Sequence, residues 1–524
     1  MKDILNQKHL PKHLIAGGFL LLFVFLFSNQ PWYFHLLTLA QILYVPWMMH
    51  TLLPDRSKSS YLFTVVMMIS VLTVTINSIY IIDILGASIY LLYTFYVAYC
   101  GINRFLSRGF THWEEIAIDV GMMYLSIGGL WFFASVAGID TGFTAIITWL
   151  TAIHFHYAAF LLTVSIGLFG RFNKLPRTLF PLMLIMPMMQ AIGITYFPWL
   201  ELLSVTLYVG GLYIILWHTF KLKFASQLQK AALIISFGTV CLTIILSLLY
   251  VVGNVFGFWN ISIQFMLQTH GLGNGIVFGF FTVLSWHFFT PDSLHKPKSF
   301  PISKIRGRWH QPQLVEFEKG LVDDMFFYGV SASCPQTIID FYEQTEQFNL
   351  YAKVQWRRWF LPFAYSFKLV SYFIQQLNLP LLKHTVKMEG NIIKVSEHED
   401  GRVKPRAWIR KINNRVVFKA IYSMHKKKEI PYMNIALPLP FSTMVGILSV
   451  KEENQTLHLS SIGNVGSDVG IYLAIGNYLM KLPLQEHFIV RESKVGHLEA
   501  DHKMWIFGLP FMYIHYKIVN INQE

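Results

Sequence analysis

A chain of 524 residues that is 54% hydrophobic and only 14% charged falls well short of the roughly 25% charged content of an average soluble protein, which excludes an ordinary globular soluble chain. The net charge of +13 is unevenly placed. Residues up to 290 hold 13 Lys/Arg and 8 Asp/Glu, whereas the remaining 234 hold 29 and 21. This shift predicts a transmembrane helical domain over 1–290, a basic linker over 291–308 and a cytoplasmic domain over 309–524.

Ten apolar runs follow one another at 14–28, 32–53, 61–78, 80–100, 116–137, 143–169, 178–197, 199–219, 231–253 and 262–289. Most reach the ~20 residues that a helix needs to cross a bilayer. The first run follows Lys2, Lys8 and Lys12 as a secretory signal would, but "SNQPWYF" after it offers no small-x-small cleavage site. Charge placement tests the count independently. Arg56 and Lys58 follow the second run, Arg104 and Arg108 the fourth, Arg171, Lys174 and Arg177 the sixth, and Lys221, Lys223 and Lys230 the eighth. The alternate loops hold no Lys or Arg. Short cytoplasmic loops collect positive charge, so a cell-membrane protein with about ten transmembrane helices and both termini cytoplasmic is expected.

The sixth run carries "TAIHFHYAAF", which places His154 and His156 among apolar residues. With Arg171 as the inner edge and 1.5 Å per residue, His154 lies about 25 Å above it, in the outer half of a ~30 Å core. Residues two apart on a helix point in nearly opposite directions, so these two rings do not share one metal unless the helix is broken. The tenth run, "LQTHGLGNGIVFGFF", sets His270 and Asn274 four apart and therefore on one face. Gly271, Gly273, Gly275 and Gly279 leave its backbone open to close approach. Ionisable groups inside a span usually face a bundle interior or a wet cavity. An outward-facing polar cavity lined by His154 or His156 with His270 and Asn274, and with Glu201 on the same side, is the candidate site. The competing view is that each imidazole simply holds two helices together through one hydrogen bond. No HExxH or comparable cluster indicates a metal, and no residue is assigned a catalytic role. Cys100, Cys241 and Cys334 form no CxxC and predict no disulfide framework.

"HFHYAAF" and "THGLGNGIVFGF" resemble the two signature segments of the YndJ-like family of uncharacterised bacterial membrane proteins. The order and spacing of the spans agree, and the long tail resembles that of the longer members. Gly275 stands where that family usually has Ala, and "IVF" lengthens the spacing. The resemblance implies a multi-pass membrane protein and carries no activity, substrate or cofactor.

In the tail, "QTIIDFYEQTEQFNL" has helical spacing at Ile338, Phe341 and Tyr342. "RAWIRKINNRVVFKAIYSM" is a hairpin signal around Asn413-Asn414, and "GILSVKEENQTLHLSS" is a second. "QEHFIVRE" and "FMYIHYKIV" add strands, so an α+β domain with an antiparallel sheet and two or three helices is expected. The apolar stretch 361–382 is interrupted by Lys368, Gln375, Gln376 and Pro380, which suits an interfacial helix or a lid over an apolar pocket better than a span. Dispersed basic residues favour anionic lipid surfaces over nucleic acid. His497, Glu499, Asp501 and His502 cluster in sequence, but a metal needs ligands that converge on one point, which sequence proximity alone does not show.

Three functional classes remain open. The chain binds or carries a hydrophobic or amphiphilic ligand, or it is a membrane redox protein or enzyme using the outer-half histidines, or it is a membrane-anchored scaffold. The first uses the most features, with membrane lipids and a hydrophobic ligand as partners and with the cofactor question open.

Overall fold

The computed structural model describes residues 12–28, 30–54, 57–76, 79–172, 175–224, 226–295, 297–307, 316–463 and 466–523. The chain divides into two compact units, one of residues 1–105 and 112–296 and one of residues 106–111 and 297–524.

The first unit is helical. Seven helices among the described residues are long and apolar enough to cross a membrane: Lys58–Ile76, Tyr80–Leu106, Trp113–Val136, Ala145–Phe172, Leu179–Tyr196, Pro198–Lys221 and Gln227–Phe256. The expected count of ten is not reached by length and composition. The first predicted span is a 16-residue helix, Lys12–Phe27. The second and tenth are helical stretches broken into short pieces by wide π turns at Ala40–Tyr44, Leu267–Gly271 and Gly273–Phe278.

One end of this unit is tied by charge. Arg171 reaches both carboxylate oxygens of Glu115 at 2.8 Å, and Arg104 donates to Glu115 at 3.2 Å and to Asp119 at 3.0 Å. The Ser293 hydroxyl and the Leu294 backbone N–H also donate to Glu115, each at 3.0 Å. Glu115 and Asp119 are fully buried. A buried carboxylate persists only when paired and hydrogen-bonded, so this cluster fixes the ends of three helices and the start of the chain that leaves the last one.

The second unit is a β-barrel. Its strands are β1 (Phe348–Trp356), β2 (Thr385–Lys394), β3 (Val403–Ile412), β4 (Arg415–Lys427), β5 (Ile430–Leu439), β6 (Ser442–Glu453), β7 (Thr456–Ser460), β8 (Gly470–Ile475), β9 (Tyr478–Lys481), β10 (Leu484–Lys494), β11 (His497–Ile506) and β12 (Leu509–Asn520). Ten of them close a ring of antiparallel neighbours: β1 through β7 in order, then β10, β11 and β12, which returns to β1. β6 turns the corner. Its first half pairs with β5 and β8, its second half with β7, and the β8–β9 hairpin lies outside the ring. This replaces the α+β layer expected from the sequence. With ten strands the sheet removes its own edges by closure, and its helices become caps rather than a layer.

The hairpins follow from turn chemistry. Asn413 and Asn414 have φ of 49° and 61°, the left-handed pair of a two-residue hairpin loop. The second predicted hairpin turns at Asn454-Gln455, with φ of 51° and 57°, because Glu452 and Glu453 continue β6. The wall around β3 to β6 and β8 is apolar on its outer side as well. Residues 297–307, within the stretch read as a linker, run along it. There Ile305 packs with Ile393, Ala407, Ile409 and Ile421, and Phe300 with Tyr432, Val445 and Tyr472. Beneath this strap, Arg402 and Asp400 form a wholly buried pair at 2.6 Å.

Elsewhere the outer wall is ionic. Asp501 on β11 accepts from Arg491 on β10 at 2.8 Å, from His515 on β12 at 2.9 Å and from the Tyr513 hydroxyl. Burial alone raises the Asp501 carboxyl, but the Tyr513, His515 and Arg491 donors outweigh it and hold the group at about 2. An unfolded Asp titrates near 3.9. Because the folded value is the lower one, the stabilisation is fully present above about pH 5 and is lost as pH falls toward 2. The wild-type barrel is therefore expected to exceed Asp501→Asn by roughly 2 kcal/mol at pH 7. Denaturant titrations should show that gap closing by pH 2; a gap independent of pH would refute the assignment.

A candidate ligand cavity in the barrel and the histidines of the helical unit

Alternation along the strands sends one set of side chains inward. These are Trp408 and Arg410 on β3, Phe418, Ala420 and Tyr422 on β4, Ile435 and Leu437 on β5, and Met444 and Gly446 on β6. Across the ring they meet Glu486, Phe488 and Val490 on β10, Ala500, His502 and Met504 on β11, and Met512, Ile514 and Tyr516 on β12. They enclose a cavity of about 740 Å³, within the 300–1,000 Å³ usual for small-ligand sites.

Two helices close it. In Gln336–Glu343, Ile338, Phe341 and Tyr342 are buried, and Phe341 packs on Phe348 at the start of β1, 5.6 Å between ring centroids. Leu361–Ile374 sits toward the other end of β1. Phe360, just before it, stacks on Trp356 at 5.9 Å, while Phe363, Ala364, Phe367 and Val370 line the cavity. This lid helix is anchored beyond its C-terminus. The Gln376 amide donates to the Lys419 and Pro438 carbonyls and accepts from the Lys419 N–H. Its outward side is apolar too, with Leu369 72% and Phe373 65% exposed. The helix ends at Ile374, short of the end of the apolar stretch 361–382, and carries apolar side chains on both sides.

Few polar groups face the lumen. His502 lies flat on Phe488, 3.6 Å between centroids, and its Nε2 is 3.1 Å from Glu486 Oε2. Gly446 stands opposite, where a Cβ would lie 3.2 Å from Glu486 Oε1, so the small residue leaves room for that carboxylate. The Arg410 guanidinium lies over the Trp408 and Phe418 rings at 4.5 and 4.3 Å. Burial pushes the Tyr422 hydroxyl up to about 12 although Arg410 pulls the other way. Burial also raises Tyr516 against the same guanidinium. Both phenols are therefore neutral hydrogen-bond donors at ordinary pH.

The sequence pointed instead to the helical unit. There the structure brings His154 and His270 together, stacked at 6.3 Å. His270 donates from Nδ1 to the Thr243 carbonyl at 3.1 Å, with Ser247 Oγ 3.2 Å away, and its Nε2 accepts from Asn274 Nδ2 at 3.1 Å. Thr243 in turn donates to Asn274 Oδ1 at 2.8 Å. Both ring nitrogens of His270 are thereby hydrogen-bonded within the helical unit. His154 donates from Nδ1 to Leu150 O at 2.6 Å and is exposed at the surface of the unit.

His156 points the other way, as a two-residue step requires. It is buried, donates from Nδ1 to Ala152 O at 2.8 Å and accepts from the Tyr90 hydroxyl at Nε2, 2.5 Å. Gly128 makes this possible, because a Cβ there would meet the imidazole Nδ1 at 2.9 Å. Glu201 is buried in the first turn of Pro198–Lys221 against Gly193, and the hydrogen bonds of the imidazole pair do not include it. His497, Glu499 and Asp501 fall on the outer face of β11 while His502 faces the lumen, so the four do not converge.

Sequence reasoning missed Arg410 and Glu486, and it singled out His502 only as a member of the 497–502 cluster. In "RAWIRKI" Trp408 and Arg410 share one phase, but Ala407 and Ile409 make the other phase equally apolar, so alternation alone did not mark the lumen.

The family model described as YndJ-like protein matches residues 35–278. The uncharacterized membrane protein YndJ of Bacillus subtilis (strain 168) is 33% identical over 463 residues, covering 83% of this chain and 84% of that one. No solved structure matches the chain. An identity of that extent takes in barrel strands as well as membrane helices, and with it the chain belongs to the YndJ-like family of membrane proteins.

Proposed function

We propose that the protein binds a hydrophobic or amphiphilic ligand in the lumen of its barrel and exchanges it with the surrounding membrane. The observation that carries this reading is the cavity of about 740 Å³ walled by apolar side chains. Interiors are normally packed to the density of organic crystals, so a void of that size surrounded by aromatic and aliphatic groups is a place kept for a ligand. The lid helix supplies the route. Phe363, Phe367 and Val370 line the cavity while Leu369 and Phe373 are exposed. Arg357 and Arg358 precede the helix, a composition that suits a segment lying among lipid headgroups.

In this reading 1–290 is the membrane domain, both termini are cytoplasmic, and the tail that forms the barrel lies in the cytoplasm. His154, His270 and Asn274 form the polar cluster of the membrane domain, and His156 locks its helix to Tyr90. Native mass spectrometry of the full chain released from lipid nanodiscs is expected to retain the mass of one single-chain lipid. A clean ligand-free mass obtained in the presence of excess lipid would sink the reading.

A further inference from the structure

We propose that the ligand held in the lumen is a single-chain amphiphile with an anionic headgroup, and that Arg410 is the group that receives that headgroup. This rests on the reading of the lumen as a ligand site. A guanidinium in apolar surroundings is costly unless it meets a carboxylate or a full set of acceptors. Arg410 has neither. Among the described residues no carboxylate lies within 4 Å of it, and its Nε is buried without a hydrogen-bond partner. Its faces rest on Trp408 and Phe418, which orients the planar fork without satisfying its N–H groups.

The remaining lumenal charge does not cancel it directly. Glu486 is engaged by His502 at 3.1 Å. Tyr516 and Tyr422 lie within reach of its charge. A fixed guanidinium beside neutral phenols offers several convergent donors to one acceptor group with two or three oxygens. A carboxylate and a phosphate share that chemistry. The rest of the wall is mostly aliphatic and aromatic and suits one acyl chain.

The test measures binding of oleate, lysophosphatidic acid and oleyl alcohol to the full-length protein in nanodiscs, by displacement of an apolar fluorophore. Wild type is expected to bind at least one of the two anionic lipids more tightly than oleyl alcohol, and the tighter of them names the headgroup. Arg410→Met is expected to weaken the anionic lipid about tenfold or more while oleyl alcohol stays within about threefold of wild type. Arg410→Lys, which keeps the charge and loses the fork, should fall between them, and an unchanged melting temperature certifies the fold. Equal losses for anion and alcohol in Arg410→Met, or no wild-type preference for an anion, would overturn the headgroup assignment while leaving the lumen a ligand site. Failure of wild type to bind any of the three would overturn the ligand-site reading itself.

Discussion

Replacing Ala500 with Trp is expected to lower the affinity of the full-length protein for an apolar fluorophore about tenfold or more. Ala500 lies on β11 and faces the cavity, and it is 4% exposed. A bulky ring at this position grows into space that the ligand otherwise fills. Forcing extra volume into a well-packed core usually costs about 1–3 kcal/mol. Here the ring has a void to enter, so the melting temperature should hold while binding falls. Lys503, three residues on, points outward and is exposed. Lys503→Trp adds the same ring to the same strand and should leave affinity unchanged. If the two variants bind alike, the lumen is not where the ligand sits.

The second large effect concerns the barrel wall. Asp400→Ala should destabilise the barrel by about 3–5 kcal/mol, the usual cost of removing one partner from a buried pair. The arrangement leaves no slack. Arg402 donates Nε to Asp400 at 2.6 Å, Nη1 to the Asn434 backbone and side-chain oxygens at 2.9 and 2.8 Å, and Nη2 to the Ile421 carbonyl at 3.1 Å. Ser303, from the strap along the outer wall, donates to Asp400 at 2.6 Å. Without the carboxylate, a guanidinium that is 0% exposed keeps its charge and loses its counter-charge. The double variant Asp400→Leu with Arg402→Met should recover much of the loss, since apolar replacement of a buried pair is often close to neutral. Denaturant titration of the three proteins checks this. A double variant no better than Asp400→Ala would show that the hydrogen bonds to Asn434 and Ile421, rather than the unpaired charge, hold the wall.

Local chemistry was legible in the sequence wherever a short segment decides its own structure. Asn413-Asn414 announces the β3–β4 turn because those side chains tolerate positive φ. The helix at Gln336–Glu343 and the lid at 361–374 show in the spacing and interruptions of their apolar residues. Ring closure did not show. The strands β3 to β6 bury apolar side chains both inward and against residues 297–307, so the period-two contrast of a half-buried strand is blurred. In the helical unit, sequence spacing placed His154 and His156 on opposite sides of their helix. It could not say which of them meets His270, because that depends on how the π turns at Phe155–Leu162 and Leu267–Gly271 rotate the two faces.

The seam between β1 and β12 sets Phe348 opposite Asn520 and Trp356 opposite Met512. Those partners come from the two extremes of the domain, so the last pairing must wait for almost all of it to be synthesised. Until then the free border of β1 and its aromatic residues stay open to any neighbouring chain. Long-range pairing of this kind also closes slowly. Attachment to a bilayer that spreads nascent copies apart would blunt that hazard, which makes dilution on a surface as relevant to this domain's yield as its final stability.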